Sequence, residues 1–194
     1  MTETLFRVKL RALYDRTFLE LDMEVILNES FKLFEDYGGK MSKSTSRAAW
    51  TSFLEQTVLC YIQCMLNSSS KIRAKSSDDA IAKIREDYSR IESRFEEFMT
   101  KRSMKTGIEV LDDLVSFFES SPAFISVACE KMRKTHGPTF KMATVKAILG
   151  LRTDLSKEDR ALALKVCEEI IDDFKKNPAY DNNKAARGGK AGIF

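Results

Sequence analysis

Apolar residues recur three and four positions apart through most of the chain, a spacing that gathers them on one face of a helix. The first such segment, about 3–37, carries Leu5, Phe6, Val8, Leu10, Leu13 and Tyr14, then Leu19, Val25, Ile26, Leu27, Phe31, Phe34 and Tyr37. The pattern fits one long helix or two with a bend near Thr17. Gly38-Gly39 is the predicted stop, because glycine readily takes the left-handed conformation that closes a helix. The second segment starts near Ser42–Ser46 and runs to about Asn67, with Trp50, Phe53, Leu54, Val58, Tyr61, Ile62, Met65 and Leu66 on its apolar face. Ser68-Ser69-Ser70, followed by Lys71, Arg73 and Lys75, reads as a polar connector.

The third segment has Ser77 as candidate N-cap and Asp78 and Asp79 in its first turn, where the helix dipole favours negative charge. Ile81, Ile84, Tyr88, Ile91, Phe95 and Phe98 form its apolar stripe. Lys83, Arg85, Glu86, Asp87, Arg90 and Glu92 form the outer, charged face, and Lys101 and Arg102 fall in the last turn. Thr106-Gly107-Ile108-Glu109 reads as a capping box opening a short fourth helix. That helix carries Ile108, Leu111, Leu114, Val115 and Phe118. Ser121-Pro122 opens a fifth, with Pro122 at the first helical position and Phe124, Ile125, Ala128, Cys129 and Met132 as its apolar set. Gly137-Pro138 stops it. Thr139 opens a sixth helix with Met142, Val145, Ile148 and Leu149 inside. Ser156-Lys157-Glu158-Asp159 caps the last, whose face is Leu162, Val166, Cys167, Ile170, Ile171 and Phe174. On this reading Ile170→Asp would cost about 3 kcal/mol or more, by placing an unpaired charge in the core.

No strand pattern of convincing length occurs. The prediction is an all-α chain in which two or three long antiparallel helices precede several shorter ones, an arrangement expected to build elongated, stacked helical bundles. The helical body spans about 1–178. Residues 179–194 are polar, with Gly188, Gly189 and Gly192, and are expected to form a disordered basic tail.

Composition sharpens this picture. Hydrophobic residues make up 43% and charged residues 31%, a mix that suits a soluble helical protein. No run of about 18 apolar residues is available to span a membrane. The N-terminus has no basic region followed by an apolar stretch, which argues against a signal peptide and for the cytosol. The formal net charge is +3, but Lys175, Lys176, Lys184, Arg187 and Lys190 stand against Asp181 alone near the C-terminus. The body is therefore near neutral and is not predicted to bind nucleic acid.

Candidate chemistry is sparse. Cys60, Cys64, Cys129 and Cys167 lie at helix-like positions among apolar residues and read as reduced core residues. Cys60 and Cys64 share a face, but two thiolates need two further ligands to hold zinc. His136, the single histidine, sits at a predicted helix C-terminus, where a cation stabilises the helix end. Acidic pairs such as Asp112-Asp113, Glu168-Glu169 and Asp172-Asp173 read as solvated faces, and no phosphate-binding or dinucleotide loop occurs. No catalytic residue, metal or cofactor site is therefore predicted. Two basic clusters at helix junctions, Lys71, Arg73 and Lys75, and Lys101, Arg102 and Lys105, are the candidate contacts for an anionic membrane or an acidic partner helix.

The stretch Val145-Lys146-Ala147-Ile148-Leu149-Gly150-Leu151-Arg152-Thr153-Asp154-Leu155-Ser156 resembles the C-terminal region of exocyst complex component three, the Sec-type exocyst tethering subunit. Members of that family carry a similar apolar helix, a Leu/Val-Arg-x-Asp-x-Ser turn and a closing helix. Phe53 to Met65, Ala80 to Phe98 and Val110-Leu111-Asp112-Asp113-Leu114 extend the resemblance over about 18–175. Thr135-His136-Gly137-Pro138 departs from the family's tyrosine-proline pair. The resemblance implies a helical-rod architecture, no enzymatic activity and no cofactor. It also implies contact with other exocyst subunits and with SNARE-type fusion proteins, recruitment from the cytoplasm to exocytic sites at the plasma membrane, and a chain that is the C-terminal part of a longer one.

Overall fold

The computed structural model describes residues 22–38, 42–67 and 77–176. The predicted elements before residue 22, the cluster Lys71, Arg73 and Lys75, and the tail 179–194 lie outside the described residues. Among the described residues the chain is all-α, as the periodicity predicts, with no strand. The helices are α1 (Met23–Gly38), α2 (Lys43–Asn67), α3 (Ser77–Glu96), α4 (Lys101–Glu119), α5 (Ile125–His136), α6 (Met142–Leu151) and α7 (Lys157–Lys176). Single 3₁₀ turns, Pro122–Phe124 and Gly137–Thr139, precede and follow α5. The chain divides into two compact units, Met1–Ile72 with Ala82–Leu111 and Arg73–Ile81 with Asp112–Phe194.

In the first unit, short polar side chains set the helix starts. Asp22 Oδ1 accepts from the amides of Glu24 (3.1 Å) and Val25 (3.3 Å), opening α1. Ser42 Oγ accepts from the Thr45 amide (3.3 Å), opening α2 where the sequence places it. Each satisfies a donor that the first turn leaves unpaired. Met23, Leu27, Phe31 and Phe34 then share one face of α1 and are buried. Phe31 is the hub of an aromatic cluster, its ring centroid 5.3 Å from Trp50, 5.0 Å from Phe53, 4.8 Å from Phe95 and 5.5 Å from Phe98. Burying a ring of this size contributes roughly 2–3 kcal/mol. On α4, Gly107 passes close to α2: a Cβ there would stand 3.0 Å from Leu54 Cδ2.

The core face of α3 differs from the predicted stripe: Phe98 falls past the end of the helix and is 37% exposed, and Ile81 and Tyr88 are only half-buried. Ile84, Ile91 and Phe95 are fully buried as expected, but the position between them is held by Asp87, at 0% exposure, rather than by Tyr88. Asp87 is the helical neighbour of both Ile84 and Ile91, so the turn geometry sends it inward. It remains there because Lys83 Nζ (2.6 Å) and the Tyr61 hydroxyl (3.1 Å) donate to its two oxygens. Burial pushes its carboxyl above the usual range, against the pull of Lys83, Tyr61 and Arg90.

The predicted start of the fourth helix is also corrected. The chain turns at Phe95–Thr100, with the Phe98 and Met99 amides donating to the Phe95 carbonyl. It re-enters helix at Lys101, where Thr100 Oγ1 accepts from the Ser103 amide (3.4 Å). Position 106 therefore lies inside α4. Lys101 and Arg102 open α4 instead of closing α3, at the dipole end that disfavours cations. An ion pair from Lys101 to Glu96 (3.0 Å) offsets this and raises the lysine's affinity for its proton.

In the second unit, Leu114, Phe117 and Phe118 of α4 are buried, as are Ile125, Cys129 and Met132 of α5 and Val145, Ile148 and Leu149 of α6. α7 packs on α5 and α6. It starts where the sequence predicts, with Ser156 Oγ accepting from the Asp159 amide (3.0 Å). Its buried face is Ala163, Cys167, Ile171 and Phe174. Ile170 lies at the margin of that face, half-buried, and Leu162 is 63% exposed, so neither is core as predicted. Phe124, also predicted inside, is 63% exposed.

Gly137 closes α5 with φ 63° and ψ −150°, a conformation that a side chain resists. Gly137→Ala should cost about 2 kcal/mol, read as a lower urea midpoint with unchanged helical circular dichroism.

Candidate functional site

The signature turn Arg152–Ser156 is a densely bonded polar feature of the second unit. Arg152 follows the last residue of α6, in extended backbone, and its side chain is only 4% exposed. Its Nη1 donates to the carbonyl oxygens of Phe118 (2.6 Å) and Ser120 (2.8 Å), at the C-terminal end of α4. These are groups a helix end leaves unpaired, and a cation there also meets the negative end of the dipole. Nε (2.7 Å) and Nη2 hold the two oxygens of Asp154 in a fork. Arg160 of α7 donates to the Arg152 carbonyl. The Arg-x-Asp-x-Ser pattern thus has a physical content: arginine caps α4, aspartate fixes the arginine, and serine starts α7.

A second polar group joins α4 to α5. His136 Nε2 donates to Asp113 Oδ2 (2.9 Å), and Lys131 Nζ lies 2.8 Å from Oδ1. The histidine and aspartate side chains are 11% and 8% exposed, so His136 has a structural role, as expected, but through α4 and not only through its own helix end. For Asp113, burial opposes the charge. The hydrogen bonds from His136 and Lys131 outweigh it and hold the carboxyl below the usual carboxylate range. A depressed acid contributes stability that is complete above its unfolded value and lost as pH falls through the lower folded one. Asp113→Asn should therefore be less stable than the parent at pH 7, and the gap should narrow below about pH 4. Urea titrations at pH 7 and pH 3 would measure this.

Of the predicted basic contacts, Lys101, Arg102 and Lys105 stand on the exposed first turns of α4. Glu96 engages Lys101, and Glu109 lies 4.0 Å from Lys105, so only part of the cluster's charge is presented outward. Lys71, Arg73 and Lys75 cannot be placed beside them, being outside the described residues. Cys60 is buried among the α2 core residues; the Cys64 side chain lies outside the described residues. Among the described residues no group of three or more His, Cys, Asp or Glu side chains could hold a metal ion. No described helix is long and apolar enough to cross a membrane.

Sequence reading missed one surface. Phe124 (63%), Val127 (59%) and Leu162 (63%) are large apolar side chains left in solvent. The buried side chains of Cys129 and Cys167 meet across α5 and α7, and the Arg133 guanidinium lies 5.7 Å from the Phe174 ring. These pairings run the two helices in the same direction. Phe124 and Leu162 each precede their cysteine by five positions, which sets both at the same end of the helix pair. The signal was present in the sequence as surplus apolar residues, but not which of them the fold would leave outside.

The family model described as exocyst complex component Sec6 matches residues 10–157. No curated protein and no solved structure matches the chain.

Proposed function

The chain belongs to the exocyst complex component Sec6 family, and on that premise we propose that it is a non-catalytic part of the exocyst, the component-three subunit. In this reading it tethers secretory vesicles to the plasma membrane before SNARE-mediated fusion. It acts through contacts with other exocyst subunits and SNARE-type proteins, as a cytoplasmic protein recruited to exocytic sites. The observation that carries the reading is the family match over residues 10–157. The Arg152 turn supports it, since the short signature behind the resemblance proves to be a bonded structural unit.

Subunit contact is assigned here to the apolar end of the α5–α7 pair. Large apolar side chains left in solvent at one end of a helix pair are candidates for a protein interaction surface, and Phe124, Val127 and Leu162 are the exposed ones on α5, its preceding turn and α7. Affinity purification of the chain from extract of its own cells, followed by mass spectrometry, tests both points. Other exocyst subunits should be recovered, and Phe124→Asp with Leu162→Asp should lose them while the melting temperature stays unchanged. Recovery of unrelated proteins only would remove the tethering reading.

The second reading is a peripheral membrane-binding module using Lys71, Arg73, Lys75, Lys101, Arg102 and Lys105. It is favoured by the exposure of the α4 trio, and it requires salt-sensitive binding to anionic vesicles.

A further inference from the structure

Of the chain's three prolines, only Pro122 follows a hydroxyl residue; Gly137 precedes Pro138 and Asn177 precedes Pro178. The Ser121-Pro122 pair lies between α4 and α5, in the second unit. Ser121 has φ −61° and ψ 157°, the extended polyproline conformation that a following proline favours. It stands where a helix cap is expected, yet its hydroxyl makes no capping bond. Ser121, Pro122, Ala123 and Phe124 are all exposed, and no residue of the 3₁₀ turn is buried. The fold thus presents a serine hydroxyl to solvent, in extended backbone, with a proline ring at the next position.

We propose that Ser121 is a phosphorylation site for a kinase that selects serine followed by proline, and that its phosphate closes the Phe124 surface to a partner subunit. The second half rests on the subunit contact proposed above. A protein kinase needs an accessible hydroxyl in extended backbone, and a proline after it has no N–H to leave unpaired in the kinase groove. The Ser121 Oγ attacks the γ-phosphorus of ATP and its proton passes to the kinase's carboxylate base. The new O–P bond forms as the bond to the β-phosphate oxygen breaks, and ADP leaves.

The turn ties the modified residue to the apolar surface, because the Phe124 amide donates to the Ser121 carbonyl (2.8 Å). A phosphate on Ser121 therefore sits one turn from Phe124, carrying a charge of about −2 at pH 7. Its oxygens hold water that an apolar contact must expel, so a partner is lost through desolvation and not through unfolding. Arg152 reaches the Ser120 carbonyl, one residue away, but its guanidinium is already committed to that group, the Phe118 carbonyl and Asp154. It does not turn outward to neutralise the phosphate. A docked partner in turn covers the serine, so phosphorylation acts on the free chain and keeps it free.

The test has two arms. In the first, the folded chain is incubated with a proline-directed kinase and magnesium ATP, then mapped by mass spectrometry. A phosphoryl group on Ser121 is expected, with Ser121→Ala and Pro122→Ala each abolishing it. An unmodified Ser121, or one modified only after unfolding in urea, overturns the site. In the second arm the phosphorylated chain is the bait in extract of its own cells, with phosphatases inhibited. Recovery of other exocyst subunits should fall about tenfold at an unchanged melting temperature, while Ser121→Ala treated with the same kinase keeps them. Full recovery by the phosphorylated chain, where Phe124→Asp loses its subunits, overturns the switch. If Phe124→Asp keeps them, the docking assignment has failed and the switch falls with it, while the mass map still decides the site.

Discussion

Arg152→Ala is expected to destabilise the second unit by about 3 kcal/mol, a fall in Tm of about 10 °C. The substitution removes the donor from two backbone carbonyls, Phe118 and Ser120, and leaves them without their charge-assisted bonds. Such groups cost about 1–3 kcal/mol each when unsatisfied in the interior. It also releases Asp154, but that carboxylate is 44% exposed and returns to water at little cost. The carbonyls therefore dominate the expected loss, not the ion pair. Arg152→Lys discriminates the two: an ammonium keeps the charge but cannot reach both carbonyls and fork onto Asp154 at once. The lysine variant should recover less than half of the lost stability. Full recovery would mean that charge alone suffices. Thermal and urea unfolding of both variants, followed by circular dichroism, supply the measurement.

Ile171→Asp should cost about 4 kcal/mol and Ile170→Asp only about 1. Ile171 is 3% exposed, in line with Ala163, Cys167 and Phe174 on the face that meets α5 and α6. An aspartate there has no partner and must either be protonated or drag α7 off its neighbours. Ile170 sits one position round the helix, half-buried, where a carboxylate can turn outward. Urea midpoints for the pair of variants read the register of α7 directly. Equal losses would show a wider buried face than the structure has.

Helix order and most helix ends were legible in the sequence because they depend on neighbours along the chain. Ser42 and Ser156 cap as their positions predict, and Gly137 closes α5. The α3–α4 break was misplaced because 97–100 contains neither glycine nor proline. Its one signal, Thr100 three residues before Ser103, was weaker than the Thr106–Glu109 pattern beside it. Asp87 was read as surface because it is charged, although its spacing from Ile84 and Ile91 already placed it on the inward line. The α7 face was ambiguous for another reason. Leu162, Ala163, Val166, Cys167, Ile170 and Ile171 cover more of the helix than α5 and α6 bury, and propensity does not say which edge loses.

The candidate sites divide the same way. The Arg152 signature was recognisable as a pattern, but its role depends on α4 carbonyls far away in sequence and could not be read locally. The Asp113–His136–Lys131 group joins two helices through side chains that look like ordinary surface residues in one dimension. The basic trio of α4 was found, but the pairing of Lys101 with Glu96 follows from a helix boundary that the sequence placed six residues too late.

The Arg152 cap also has a consequence for the order in which the chain is made. The residues it bridges are 34 and 32 positions apart, so when α4 leaves the ribosome its closing group has not yet been synthesised. Until then the Phe118 and Ser120 carbonyls at the end of α4 have only water in place of the guanidinium, and the last turn can fray and re-form. Its completion waits for the end of α6, and the arrival of one guanidinium fixes α4, α6 and, through Arg160, the start of α7 together. A nascent chain stalled before residue 152 would carry an α4 that is helical but unfinished at its C-terminal end.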